Sequence, residues 1–288
     1  MSNTILITGA SSGIGKATAK YFSEKGWNVV ATMRSPEKEQ ELDKLDNIFI
    51  TKLDVQQPGT IVSAIHCGIE EFGKIDVLVN NAGYGEFGLF EAASEEQVRT
   101  QFEVNVFGVM NTIRKVLPHF RERKHGMIIN ISSGAGRFTL PMISLYAASK
   151  FALEGFSEAL SFELSALNIT VKIVEPGGTA TNFSNVSSER SASKPSLKEY
   201  EDFVTAAGKM FGSLRGMQLA TPEEVAGVIY EAATDGTDTL RYVVGNEDFK
   251  KRVAERLSMP DQDYVNSVKK NYLQFMPLKE SKLMSHQQ

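Results

Sequence analysis

The sequence predicts a doubly wound, mainly parallel α/β sheet of about seven strands, folded as a single domain. Three observations predict it. Short runs rich in β-branched residues alternate with helical stretches through the first two-thirds of the chain. Those runs lack a strict apolar–polar alternation, as strands covered on both faces do. The first run passes directly into a glycine cluster that opens a helix.

TILIT (4–8) is the first strand, beginning near Asn3, and a helical pattern follows from about Ile14 to Lys25. WNVVAT (27–32) is the second strand, and Ser35 as N-cap with Pro36 in the first turn predicts a helix after it. NIFITKLDV (47–55) precedes a helix near 60–72, and IDVLVNNAG (75–83) reads as a strand and its loop. A long helical region over 94–123 leads to MIINIS (127–132), a helix near 146–166 and ITVKIVEPG (169–177). RYVVG (241–245) is the last strand. Right-handed crossovers between such strands wind the sheet both ways and place ligands at the strands' carboxyl ends.

Two regions break this rhythm. SNVSSERSASKPS (184–196) is serine-rich, and Phe183, Phe203, Met210, Phe211, Met217 and Leu219 flank it. This insertion, at about 180–220, follows a strand's carboxyl end, where a lid over a binding site would lie; a surface excursion with its own small core is the alternative. The tail, 246–288, is helical in pattern and carries no chemical signal.

Composition narrows the function. A net charge of −4 with no basic stripe argues against a nucleic-acid partner. The single cysteine, Cys67, cannot form an internal disulfide, which suits a reducing compartment. The four histidines show no metal spacing, so no metal is expected. No apolar run approaches the length needed to cross a bilayer, and the first strand begins too early to leave room for a signal peptide. A soluble, cytoplasmic protein is the expectation.

The glycine cluster is T-G-A-S-S-G-I-G, residues 8–15. Gly9 permits a tight turn, Gly13 a close backbone approach, and Gly15 close packing of helix on strand; Ser11, Ser12 and Ile14 fill the loop between. The helix behind it offers free N–H groups and the positive end of its dipole to a pyrophosphate. This is the dinucleotide-binding arrangement of a Rossmann-type sheet. In such sheets the end of the second strand meets the adenosine ribose. Here it reads Thr32-Met33-Arg34, with no acid to hold a 2′-hydroxyl. Arg34 suits a 2′-phosphate, which favours NADPH/NADP+ over NAD(H), unless Arg34 is an ordinary solvated residue.

Y-A-A-S-K (146–150) places a phenol and an ammonium one helical turn apart, on one face. A second Tyr/Lys pair at the same spacing, Tyr21 and Lys25, follows the glycine loop. Spacing alone does not choose between them.

Taken together, TGASSGIG, LDV (53–55), NNAG (80–83), NVFG (105–108), ISS (131–133), YAASK and PGGTAT (176–181) resemble the short-chain dehydrogenase/reductase family. The wording around NNAGYGEFG, ISSGAG and VEPGGTATNF is similar to its 17β-hydroxysteroid-dehydrogenase-like group. The resemblance covers about residues 4–180 and implies an NADPH-dependent carbonyl reductase or alcohol dehydrogenase. It selects Tyr146 with Lys150, and Ser133, thirteen residues before the tyrosine, as catalytic serine in preference to Ser132. Lys150 would also bond the nicotinamide ribose, and Asn105 would hold a water that links the lysine to solvent. Asp54 and Val55 would meet the adenine. Asn81, Ala82 and Gly83 would line the adenosine side, and Pro176, Gly177, Thr179 and Thr181 would close over the nicotinamide.

Reduction of a ketone needs a hydride on carbon and a proton on oxygen. Tyr146 would give the proton, with its phenol made more acidic by the Lys150 ammonium. Ser133 would donate to the carbonyl oxygen. Apolar residues near that pair (Phe87, Leu89, Phe138, Leu140, Met142, Leu145 and Phe183) imply a hydrophobic ketone, aldehyde or secondary alcohol, with Phe87, Phe138, Leu140, Met142 and Phe183 facing it. A non-catalytic NADP(H)-binding sensor or scaffold is the alternative. The family pattern further implies a homo-oligomer built on the faces of the 94–123 and 146–166 helices.

Overall fold

A computed structural model describes residues 2–183, 187, 197–215 and 218–277. Its centre is one seven-stranded parallel sheet in the order β3-β2-β1-β4-β5-β6-β7. The strands are β1 (Thr4–Thr8), β2 (Asn28–Met33), β3 (Ile48–Lys52), β4 (Val77–Asn80), β5 (Gly126–Ile131), β6 (Ile169–Pro176) and β7 (Arg241–Val244). Every neighbouring pair is parallel. This is the sheet the sequence predicts.

Period-two alternation sorts each strand between two cores. Ile5 and Ile7 of β1, Val29 and Ala31 of β2, and Val77 and Val79 of β4 meet α1 (Gly13–Glu24) on one face, with α7 (Pro222–Thr234) beside it. Leu6, Val30, Leu78 and Ile128 point to the other face, against α2 (Pro58–Phe72), α4 (Val109–Arg123) and α5 (Ser144–Ser165). Burial on both faces explains why the strands read as continuous apolar runs. Among the described residues no helix is long and apolar enough to cross a membrane.

Two sequence expectations change in detail. No helix follows β2; the chain makes two short 3₁₀ turns, Pro36–Lys38 and Leu42–Lys44. The Glu39 carboxylate accepts from the backbone N–H groups of Gln40, Glu41 and Leu42, and Lys16 pairs with it at 3.1 Å. Those local bonds outcompete a helix in a segment with no apolar stripe. The helical region expected over 94–123 is three pieces: α3 (Glu95–Phe102), a π-helical stretch (Glu103–Gly108) and α4. A Ser94/Gln97 capping box starts α3.

Beyond β6 the described chain forms α6 (Glu201–Arg215), α7, β7, α8 (Glu247–Ser258) and α9 (Asp261–Leu273). Most of the serine-rich 184–196 stretch, Met217 and the last residues of the tail lie outside the described residues.

The pair Tyr21 and Lys25 sits in the α1–α7 layer, with the ammonium over the Tyr21 ring at 5.3 Å and the Tyr230 ring at 5.9 Å. Phe22, fully buried beside it, meets Trp27 and Tyr230 edge-on at 5.1 and 5.2 Å. Truncating such a ring leaves a cavity as well as losing its burial. Phe22→Ala should cost about 3–5 kcal/mol, read as a lower urea midpoint at unchanged m-value.

Candidate active site

β1 stands where the strand order turns back, with β2 on one side and β4 on the other. The loops after β1 and β4 therefore part and leave a crevice at the carboxyl end of the sheet. The glycine loop lines it. Gly9 and Gly13 have φ of +71° and +54°, a backbone region that L side chains rarely adopt. A Cβ on Gly15 would stand 2.3 Å from the Gly9 carbonyl oxygen and 2.5 Å from Asn81 Nδ2. No side chain caps α1 and no acid occupies its first turn. Ser11 and Ser12 are exposed, while Thr181 reaches to 3.3 Å of where a Gly13 Cβ would be. A helix start left open, behind a loop with no room for side chains, fits a pyrophosphate.

Asn81 fastens this loop to its neighbour. Its Nδ2 donates to the Thr8 and Gly9 carbonyls at 3.0 and 3.1 Å. The Thr8 hydroxyl accepts from the N–H groups of Asn81 and Ala82, both at 3.0 Å. Thr8 escaped sequence reasoning although it opens the glycine motif, because its bonds run to a strand some seventy residues away. Asp54 accepts from Gln56 N–H at 3.0 Å, and Val55 is buried against Gly108. Arg34 is exposed and makes no ion pair among the described residues. On the far side, Pro176 ends β6, Gly177 is packed under Phe249, and Thr179 Oγ1 donates to the Gly177 carbonyl.

The catalytic candidates lie on the buried face of α5 and on the turn after β5. Tyr146 and Lys150 are both buried, and Lys150 Nζ donates to the Ile131 carbonyl at 2.8 Å while standing 5.8 Å from the Tyr146 ring centre. Ser133 caps the turn Gly134–Gly136, its Oγ accepting from Ala135 N–H at 3.1 Å, and its hydroxyl also bonds the Tyr146 phenol. Ser132 Oγ is buried beside Gly136 and Glu154.

Burial pushes the phenol up to about 12, and the Ser133 hydrogen bond works the other way without overcoming it. The sequence reading expected Lys150 to lower it. Instead the Lys150 amine is turned to Ile131, and the rings of Phe87 and Phe183, each 5.6 Å from the Tyr146 ring, exclude solvent. Burial also pushes Lys150 down to about 8, against the opposing charge of Glu154.

Asn105 sits on the π-helical stretch, a device common at functional sites. Its Oδ1 accepts from Tyr84 N–H at 3.1 Å, and its Nδ2 donates to the Tyr84 carbonyl at 2.9 Å and to Ser149 Oγ at 3.1 Å. It thus ties the loop containing Gly83 to the residue next to Lys150.

Phe87, Leu140 and Phe183 gather around Tyr146, with Phe211 of α6. Phe138 does not join them: its ring packs on Phe249 of α8 at 6.1 Å, under the Arg252 guanidinium. Met142 is half-buried at φ +61°, and its carbonyl accepts from Gly88 N–H.

Residues 3–192 match the family described as short chain dehydrogenase. The chain belongs to that family. An uncharacterized oxidoreductase of Schizosaccharomyces pombe is 41% identical over 216 residues, 74% of this chain and 89% of the relative. A 3-ketodihydrosphingosine reductase of Bacteroides thetaiotaomicron is 44% identical over 181 residues, 63% of this chain and 65% of the relative. Retinol dehydrogenase 8 of Homo sapiens is 39% identical, over 62% of this chain and 60% of the relative. Among solved structures, a short-chain dehydrogenase of Streptomyces avermitilis superposes with a TM-score of 0.77 at 30% identity, covering 95% of this chain and 97% of that one. A serine dehydrogenase complexed with NADP+ gives 0.71 at 32% identity, covering 83% and 94%. A Brucella melitensis 3-ketoacyl-(acyl-carrier-protein) reductase complexed with NADH gives 0.70 at 25% identity, covering 84% and 96%. This short-chain dehydrogenase is an oxidoreductase of the nicotinamide-dependent kind.

A group of buried charges lies beneath the serine turn. Glu154, one turn after Lys150 on α5, binds Arg241 at 3.0 Å, and Glu175 of β6 stands 3.4 Å from Arg241 and 3.7 Å from Arg137. The sequence carried a signal for both acids: Glu154 is at i+4 from Lys150, and Glu175 interrupts an apolar strand. Burial first, and the nearby Glu154 carboxylate second, raise Glu175 to about 7 from an ordinary 4.5. A carboxyl raised on folding binds its proton more tightly in the native state, so its contribution is full below pH 4.5 and is lost as pH rises through about 7. The Tm of the natural protein minus that of Glu175→Gln should therefore fall between those limits and level off above them, by scanning calorimetry in a pH series.

Proposed function

We propose that this chain is an NADP(H)-dependent carbonyl reductase or alcohol dehydrogenase of the 17β-hydroxysteroid-dehydrogenase-like group, acting on a hydrophobic ketone, aldehyde or secondary alcohol. The observation that carries the reading is Tyr146, hydrogen-bonded to Ser133 and enclosed by Phe87 and Phe183 beside the buried Lys150. A phenol between two rings serves an apolar carbonyl, and a binding-only protein has no use for it.

Bound in the crevice, the nicotinamide supplies or accepts the hydride. The chain's own residues do the rest. The open start of α1 and the loop from Gly9 to Gly15 hold the pyrophosphate, and Arg34 holds the 2′-phosphate. Asp54 and Val55 flank the adenine, Asn81 to Gly83 the adenosine side, and Pro176, Gly177, Thr179 and Thr181 the nicotinamide. Lys150 binds the ribose. Ser133 donates to the carbonyl oxygen, and Tyr146 gives that oxygen its proton. With its phenol at about 12, Tyr146 is a proton donor in the reduction direction across the neutral range. Lys150, turning from Ile131 toward the phenol, favours the phenolate that proton transfer leaves. Asn105 stands beside Ser149 at the start of a water route to the lysine.

The substrate side consists of Phe87, Leu140 and Phe183, closed by α6 as lid; α8 and α9 brace it from the tail. Relatives named for 3-ketodihydrosphingosine and for retinol support an apolar substrate. Phe151 and Phe162 are exposed on one side of α5, eleven residues apart and so in line, and Phe107 is exposed on the π-helical stretch. That apolar stripe supports a homo-oligomer.

NADPH oxidation with a panel of aryl and alkyl ketones tests the reading. Tyr146→Phe should lose about a hundredfold or more in kcat while NADPH still quenches and shifts in fluorescence on binding. Binding by the natural protein without turnover of any ketone, unchanged in that variant, would favour the sensor alternative.

Arg34→Ala should raise the Kd for NADPH about ten- to a hundredfold and leave that for NADH nearly unchanged. Equal effects on the two cofactors, by fluorescence titration, would remove Arg34 as a 2′-phosphate ligand.

A further inference from the structure

Behind the serine turn, four buried side-chain atoms lack a hydrogen-bond partner among the described residues: Ser132 Oγ, Arg137 Nε, Glu154 Oε1 and Glu175 Oε1. They belong to one pocket. A Cβ on Gly136 would touch Ser132 Oγ at 2.8 Å and Glu154 Cγ at 2.9 Å. Arg137 reaches Glu154 at 4.0 Å and Glu175 at 3.7 Å, and Arg241 reaches both acids. Buried polar atoms are seldom left dry, and this group offers both a donor and acceptors to a bridging water.

We propose that this pocket is a buried water and proton site that serves the active-site lysine. Glu154 is the positioning residue that keeps Lys150 an ammonium, and Glu175 is the carboxyl that takes up the pocket's proton. The water bridges Ser132 and the two acids. As pH falls, Glu175 receives a proton from solvent through that water, while Glu154 keeps its ion pair with Arg241. The inference rests on the reductase reading only for its meaning in turnover.

Three arguments support it. Lys150 and Glu154 share the buried face of α5 one turn apart, and among the described residues Lys150 Nζ bonds only a neutral carbonyl. A buried ammonium in that position needs a counter-charge, and Glu154 is the nearest acid along its helix. Second, the charges facing Glu154 come from every packed element: Arg137 from the serine turn, Glu175 from β6, Arg241 from β7, and Lys150 and Glu158 from α5. With Glu175 ionised, three cations balance three carboxylates. Third, of the influences on Lys150, burial disfavours the charged form and Glu154 opposes it.

The test measures kcat/KM for ketone reduction and the Kd for NADPH, each from pH 6 to 10, with Glu154→Gln, Glu154→Asp and Arg241→Gln. Loss of the Glu154 charge lets Lys150 deprotonate sooner. The alkaline midpoints of both profiles should then move down by about one pH unit in Glu154→Gln, about tenfold in activity at a fixed alkaline pH. Glu154→Asp should restore most of that shift. Arg241→Gln removes a cation and should move the midpoints up, and it decides the matter if Glu154→Gln does not fold. Midpoints unchanged in folded variants, or a loss equal at all pH values, would overturn the inference. If the natural protein reduces no ketone, the reductase reading fails, and the NADPH-binding midpoint alone judges this one.

Discussion

The seam between α5 and the sheet is the constraint on which the rest depends. As far as Ser157, the buried face of this helix carries a run of polar groups among its apolar ones. Ser149 donates to the Tyr146 carbonyl, Lys150 to Ile131, Glu154 accepts from Arg241, and Ser157 accepts from Asn130. Asn130 in turn accepts from Asn80, so the chain of bonds runs from β4 through β5 into the helix. Leu153 adds apolar burial among them, and Leu160 and Leu164 add more farther along. Buried polar groups tolerate little misplacement, since each unmade bond costs its full desolvation. The helix therefore has one seating, and that seating fixes Tyr146, Lys150 and the turn bearing Ser133 in a common frame. An all-leucine face would bind as firmly and allow a slide that would scatter the chemistry.

The two halves of the crevice are held by different forces. On the cofactor side, hydrogen bonds from Asn81 and Thr8 knit loops from β1 and β4, and glycines leave no volume to spare. On the Tyr146 side, ring packing dominates: Phe87 on Phe183, and both on Tyr146. Directional bonds are lost abruptly when a group moves, whereas aromatic contacts exchange for others at small cost. A rigid wall on the glycine-loop side and an adaptable one around Tyr146 follow from that contrast.

Much of this was legible in the sequence. Every strand was, because burial on both faces leaves unbroken apolar runs and the chain alternates them with helices. The glycine loop was legible because its purpose is local: a turn, a close approach and a helix start, all within eight residues. The segment after β2 was not. Ser35 and Pro36 form a sound helix start, but Glu39 bonds three backbone amides and Lys16 reaches it from another element. Phe138 was placed in the pocket by proximity to Tyr146 in sequence, and a helix more than a hundred residues later draws it away. A carboxylate turned back on its own backbone and a ring from a distant helix leave no mark in the local pattern.

The acidity of Tyr146 shows the same principle at the level of chemistry. Spacing alone makes Lys150 its neighbour and predicts a phenol shifted down. The fold supplies a larger opposing influence, the rings that strip solvent from the hydroxyl. A phenol held protonated is suited to giving a proton away, and a lysine lowered toward 8 is suited to changing its partner as charge develops beside it. Burial therefore sets the resting state of both groups, and the Ser133 hydrogen bond and the Glu154 charge act as corrections to it. The site's chemistry depends on which of those corrections the arrival of a second charge brings into range.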